Sequence, residues 1–187
     1  GYLSEWIFNS ADFQTQPFSM KSVELCGAPS MNAFHRHLVD GVDCLTQKRV
    51  HKLNRVDDYW QLLDESGDVI LEANAVIITA PAEQTYNLVS LHDLEHNFIL
   101  SSSQASLPQY VCAIAFDQPQ KQLADVYSGE HPVFSKIIRD NSKPARPYSK
   151  NDHTPEVWIL HSTHQWAQEQ QHREASSAAE DMAKLFC

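Results

Sequence analysis

Apolar and polar positions alternate along residues 49–55, the two-residue period of a sheet with one covered face. Val50 and Leu53 are the inward anchors of a strand over 49–55. Asp57 and Asp58 turn the chain, YWQLLD (59–64) returns antiparallel, ESGD turns it again, and VILEA follows. The alternation then stops. Ala75, Val76, Ile77 and Ile78 are consecutive apolar residues that end abruptly at Ala80 and Pro81. Such a run predicts a strand over 75–79 buried on both faces, as in a parallel sheet. Pro81 cannot continue a ladder but suits the first turn of a helix, which the pattern extends over 82–100. A short strand is expected over 42–45.

Before this stretch, SVELC (22–26) alternates as a strand. GAPSMNAFHRHLVDG (27–41) then reads as a turn, a helix and a stop. Ser30 is a candidate cap, Met31, Phe34 and Leu38 recur at helical spacing, and Gly41 suits the left-handed position after a helix end. Residues 1–20 are aromatic but irregular and predict no element. After residue 105 the period becomes that of strands. Segments 107–116, 124–128, 133–139 and 157–162 predict one mainly antiparallel sheet. The polar, proline-containing stretch 141–156 predicts an exposed loop, and 174–186 predicts a helix with Ala175, Ala178, Met182 and Leu185 on one face.

The chain has 187 residues, of which 42% are hydrophobic, so it can bury a core, and disorder is not expected for most of it. Its 14 basic and 24 acidic residues give a net charge of −10, against a nucleic-acid or anionic-membrane partner. Its apolar runs fall short of the roughly 18–20 residues of a membrane span, and its first residues show no signal-peptide pattern. Cys26, Cys44, Cys112 and Cys187 are widely spaced with no CxxC, which favours reduced thiols and a cytoplasmic location. With five glycines there is no Gly-rich phosphate loop.

Few residues carry candidate chemistry. His35 and His37, two apart on a helix, diverge and make a poor metal pair. The serines at 101–103 have no nucleophile signature. Trp158 and Trp166 read as packing. Asn141, Lys143 and Arg146 read equally as a solvated turn stiffened by Pro144 and Pro147, or as a cationic rim for an anionic small-molecule substrate such as a dinucleotide.

Three stretches together resemble renalase-like, amine-oxidase-like FAD-dependent oxidoreductases. GAPSMNAFHRHLVDG is similar to the family's V-P-G-M-x-x-L-x-x-H-L segment. The stretch 48–84, KRVHKLNRVDDYWQLLDESGDVILEANAVIITAPAEQ, resembles its second cofactor-domain segment. RDNSKPARP followed by WILHSTHQWAQEQ resembles its S-K-P-G-R loop and W-V-L-H-A-x-x-x-W strand. Serine and alanine stand at Ser30 and Ala145, where the family has glycine. The resemblance spans 27–187 and implies an internal piece of a longer protein.

The implied fold is α+β: a partial FAD-binding α/β segment over 1–83, then a substrate-binding domain over 84–187 with a mainly antiparallel sheet and flanking helices. The implied reaction is hydride transfer from a reduced nicotinamide-like or amine substrate to flavin, with dioxygen as acceptor. Val50 would lie beside the adenine, Ala80 and Pro81 at a cofactor-proximal turn, and His161 facing the substrate pocket. Read from the residues alone, Val50 is core, Ala80 and Pro81 are a plain helix start, and His161 is a core histidine. Lacking the Gly-rich loop, this chain alone is expected to hold no FAD, and surfaces left exposed predict a homo-oligomer. The competing class is a non-catalytic α+β binding or scaffold domain.

Overall fold

The structure is a computed structural model and describes residues 1–14, 20–89, 106–120, 124–146 and 155–187. The protein is α+β, in two compact units. One comprises Gly1–Val42 with Leu107–Cys187, and the other Asp43–Ser106. Residues 1–42 therefore pack with the C-terminal half rather than with 43–83, a division different from the expected 1–83 and 84–187. Among the described residues no helix is long and apolar enough to cross a membrane.

In the larger unit, β1 (Leu3–Asp12), β2 (Met20–Gly27), β6 (Val111–Phe116), β7 (Val126–Ser128), β8 (Phe134–Arg139) and β9 (Glu156–Ser162) form one sheet. Its order is β2-β1-β7-β8-β9-β6. All pairs are antiparallel except β1 with β7. The four strands expected from 107–162 are thus in a single sheet, extended by β2 and by the unforeseen β1.

Alternation in β9 is strict. Trp158, Leu160 and Ser162 are fully buried, while Val157, Ile159 and His161 on the other face are half-buried. The first face is covered by α4 (Ala175–Phe186), whose Ala178 and Met182 are fully buried. There Tyr127, Ile137, Trp158, Leu160, Cys112 and Met182 share one core, and Phe186 lies 5.4 Å from the Trp158 ring. Before it, α3 (His164–Gln170) is capped by Thr163, whose hydroxyl accepts from the Trp166 N–H at 3.2 Å. On the second face Trp6, Phe8, Cys26, Val126 and Ile138 cluster, with Ile159 packed against them.

Two buried carboxylates hold the middle strands. Asp125 accepts from the Asn9 N–H at 2.9 Å and pairs with Arg139. Glu156 accepts from Trp158 Nε1 at 2.7 Å and lies 3.7 Å from Arg139. Hydrogen bonds to both acids offset the desolvation that burial imposes.

The turn after β2 leads into α1 (Ala33–Leu38). Asn32, not Ser30, precedes this helix, and the Ser30 hydroxyl donates to the Asn32 side chain at 2.7 Å. Gly41 has φ +79°, as its place after a helix end predicts.

In the smaller unit β3 (Lys52–Val56), β4 (Tyr59–Leu63) and β5 (Val69–Ala73) form an antiparallel meander. The hairpin turns at Asp57 and Asp58 as expected, with Asp57 at φ 46°. Asp64 Oδ1 closes the next turn by accepting from the Ser66 and Asp68 N–H groups. α2 (Ala82–Val89) starts after Pro81, and the expected extension over 90–100 lies outside the described residues.

Three expectations need correction. Residues 75–79 are not a strand, and Ile77 is 91% exposed. A hydrophobic run becomes a strand only where neighbours supply ladder partners, and none of the described residues does so. Residues 42–45 are likewise outside any ladder, with Val42 and Leu45 exposed. The segment expected as an exposed loop is half-buried over 141–144 and again at Arg146 and Pro155, while Glu156 is buried. Its side chains have partners inside the fold. Residues 147–154 lie outside the described residues.

Candidate functional site

Directly paired residues of antiparallel strands share a face. Lys136 on β8 pairs with His161 on β9, and His161 pairs with Val111 on β6, so the three form one row. The next row on this face is Ile138, Ile159 and Ala113. It is the second face of the sheet, away from α4. Val111 and Ala113 are exposed there and His161 is half-buried.

The His161 ring is oriented by its neighbour. Gln109 Nε2 donates to the Ser162 carbonyl at 3.0 Å, which turns Oε1 towards His161 Nδ1 at 3.5 Å. A carbonyl oxygen only accepts, so Nδ1 carries the hydrogen and Nε2 presents a lone pair. Burial lowers the pKa of His161 below its ordinary 6.5, and the Lys136 and Lys143 ammonium groups lower it further. At neutral pH the ring is therefore an uncharged acceptor beside two cations. Lys136 has no ion-pair partner among the described residues.

The segment after β8 supplies the second cation. Residues Asp140–Ser142 form a single 3-10 turn. Asn141 is consumed structurally: its Oδ1 accepts from the Val157 N–H at 2.6 Å and its Nδ2 donates to the Pro155 carbonyl at 3.0 Å. Lys143 Nζ is held by Asp140 Oδ1 at 2.6 Å and lies 5.4 Å from the Trp6 ring centroid. Trp6 in turn donates its indole N–H to Ser142 Oγ at 3.1 Å.

Arg146 is a strut rather than a rim. Its side chain is 6% exposed, and its Nε lies 3.2 Å from Asp140 Oδ2. Its Nη1 donates to the carbonyls of Gly27 at 3.0 Å and Pro29 at 2.8 Å. Buried Nη2 has no partner among the described residues. The GAPSM turn and the SKPAR loop, distant in sequence, are thereby joined. Gly27 is needed at this junction, because a Cβ there would meet the Ser30 carbonyl oxygen at 2.5 Å. Ala145 adopts φ 57°, the left-handed region that glycine enters without strain.

The cofactor-side candidates lie in the smaller unit. Val50 is half-buried two residues before β3. Half-buried Ala80 accepts from the Thr85 hydroxyl at 3.0 Å, and the Pro81 carbonyl accepts from the Thr85 N–H at 2.9 Å. These bonds close the first turn of α2. The structure thus gathers His161, Lys143 and Arg146 with Asn141 in one unit, and Val50, Ala80 and Pro81 in the other.

The described residues do not fit a complete FAD site. A pyrophosphate needs converging backbone N–H groups at a helix start. Gly27 fills its own open space with the chain of Ser30 and Met31, and Pro81 has no N–H to offer.

Sequence reading missed Lys136, Gln109 and Asp140. Asp140 lies next to Asn141 and could have been suspected as the counter-charge of two cations within six residues. The link of Lys136 and Gln109 to His161 depends on strand register, which one sequence does not reveal. No family model matches the sequence.

Proposed function

We propose that this chain is the substrate-facing part of a renalase-like, amine-oxidase-like FAD-dependent oxidoreductase. The observation that carries the reading is the Arg146 bridge to Gly27 and Pro29. It joins loops from two of the three stretches that carry the resemblance, beside a sheet face bearing His161 and Lys136. The substrate is a small molecule with a reduced nicotinamide-like or amine nitrogen, and the protein acts on neither nucleic acid nor membrane.

Neutral His161 accepts a substrate N–H or O–H, and the Lys136 ammonium attracts an anionic group of the same molecule. Asp140 cancels one of the two charges of Lys143 and Arg146, so the pull on an anion rests chiefly on Lys136. A flavin, when bound, would supply the redox chemistry by accepting a hydride from the carbon beside that nitrogen; this chain's His161 and Lys136 would hold and orient the substrate. Val50, Ala80 and Pro81 would be its secondary contacts, and its pyrophosphate would need a phosphate loop that the described residues do not supply. All four cysteines are free thiols, which suits the reducing cytoplasm.

The test is a visible absorption spectrum of the purified full-length gene product, followed by anaerobic bleaching with reduced nicotinamides and amines. A flavin band that bleaches is expected. A colourless product would favour the alternative, a non-catalytic α+β binding or scaffold domain. The same expression with His161→Ala should keep the colour and lose tight substrate binding.

A further inference from the structure

β2 is a terminal strand of the sheet, so its outer N–H and C=O groups have no ladder partner among the described residues. Its charged residues, Lys21 and Glu24, stand among exposed apolar ones. The register pairs Ile7 with Val23, Glu5 with Leu25, Asn9 with Lys21, and Leu3 with Gly27, and all of these share one face. Leu3, Ile7, Val23 and Leu25 are 44%, 52%, 61% and 68% exposed on it. Ala11, farther along β1 on the same face, is already buried in the α4-side core. The helix layer therefore stops short of the β1–β2 end and leaves an apolar patch beside an open edge.

We infer that this edge pairs with β2 of a second copy of the chain, antiparallel, about a two-fold axis at Val23. A two-fold axis normal to the sheet requires paired residues to point to the same side, so their numbers must have the same parity. Centring on Val23 aligns complementary side chains on both faces. On the apolar face the central row runs Ile7, Val23, then Val23 and Ile7 of the second copy. The rows on either side each run Glu5, Leu25, then Lys21 and Asn9 of the second copy. Each Lys21 can thus reach across one leucine to the Glu5 of the other chain, twice by symmetry. On the opposite face Ser22 stands against Glu24 of the second copy, again twice, which sets a neutral residue rather than a like charge against each carboxylate.

Centring one pair to either side is poorer. An axis at Glu24 sets its two carboxylates against each other, and an axis at Ser22 sets Lys21 against Val23. Within one chain Glu5 and Lys21 lie two rows apart, with Ile7 and Val23 between them, so their charge complementarity is satisfied only between copies.

Sedimentation over a micromolar dilution series tests the pairing with the full chain. Wild type is expected to form a reversible dimer, with slowed, concentration-dependent amide exchange at residues 20–27. Val23→Lys puts two ammonium groups at the axis and should give a monomer with an unchanged circular dichroism spectrum, since Val23 is exposed. Lys21→Glu should weaken dimerisation about tenfold or more. Adding Glu5→Lys should restore it, because the swap recreates both inter-chain pairs. If Val23→Lys fails to fold, the Lys21→Glu and swap measurements decide. A wild-type chain monomeric throughout, a dimer indifferent to Lys21→Glu, or a swap that restores nothing would each overturn the inference.

Discussion

Arg146 donates to the Pro29 carbonyl at 2.8 Å across 117 residues of sequence, and the same guanidinium lies 3.2 Å from Asp140. Removing it takes one of two cations from Asp140, which keeps Lys143, and leaves the Gly27 and Pro29 carbonyls without this donor. Arg146→Ala should cost about 3 kcal/mol of unfolding free energy. Arg146→Lys should recover only part, because an ammonium cannot span both partners as the planar fork does. Denaturant melts of the two variants provide the check. Wild-type stability in Arg146→Ala would show the bridge to be incidental.

Gly27 supplies one of those carbonyls and has no room for a side chain. Gly27→Ala should cost roughly 1–3 kcal/mol through displacement of the turn. Its effect should be non-additive with that of Arg146→Ala, since moving the turn already loosens the bridge. A double-mutant cycle whose two effects simply add would separate the glycine from the bridge.

Ala145 stands at φ 57° next to the same arginine. A Cβ in that region is strained by about 1 kcal/mol, more than the extra chain entropy that glycine brings to the unfolded state. Ala145→Gly is expected to raise the melting temperature by roughly 2 °C. A lower melting temperature would mean that the loop gains from the stiffness of alanine.

His131 Nδ1 accepts from the N–H groups of Val133 at 3.1 Å and Phe134 at 3.0 Å, which only the unprotonated nitrogen can do. Burial lowers its pKa below 6.5, and His161 is lowered likewise by burial and then by its two lysines. The unfolded chain therefore binds more protons than the folded one below the ordinary value, and stability falls as pH drops through and below about 6.5. His131→Asn keeps an acceptor oxygen near the same place without a titrating ring. Melts across pH 5–8 should show a shallower acid loss for this variant. An unchanged slope would remove His131 from the account.

The meander over 52–73 was legible because Leu53 stands between polar Lys52 and Asn54, and Asp57–Asp58 and Glu65–Asp68 have the composition of turns. The strands from 111 to 162 were legible for the same reason. β1 was not: Leu3 and Ile7 are apolar on one face and Trp6 and Phe8 on the other, so no alternation survives. Residues 75–79 failed in the opposite sense. Their apolar run has strand composition, but a strand also needs neighbours, and pairing is a property of the fold. The candidate site divides along the same line. Lys143 and Arg146 could be picked out by residue type, and His161 only through the resemblance. Lys136 became visible only through register, and the pairing of both loop cations with Asp140 only through coordinates.

The parallel contact between β1 and β7 has a consequence for biosynthesis. Asn9 and Asp125, which share two hydrogen bonds there, are 116 residues apart in sequence. Ribosomes add about 5–20 residues per second, so the β1–β2 hairpin emerges several seconds before its partner strand exists. During that interval the intervening Asp43–Ser106 unit can complete its local hairpins, while Trp6 and Phe8 remain without their eventual neighbours. A nascent chain paused in this window is a natural client for a chaperone that shields aromatic strands. The yield of native protein should therefore depend on how fast the second half of the message is read.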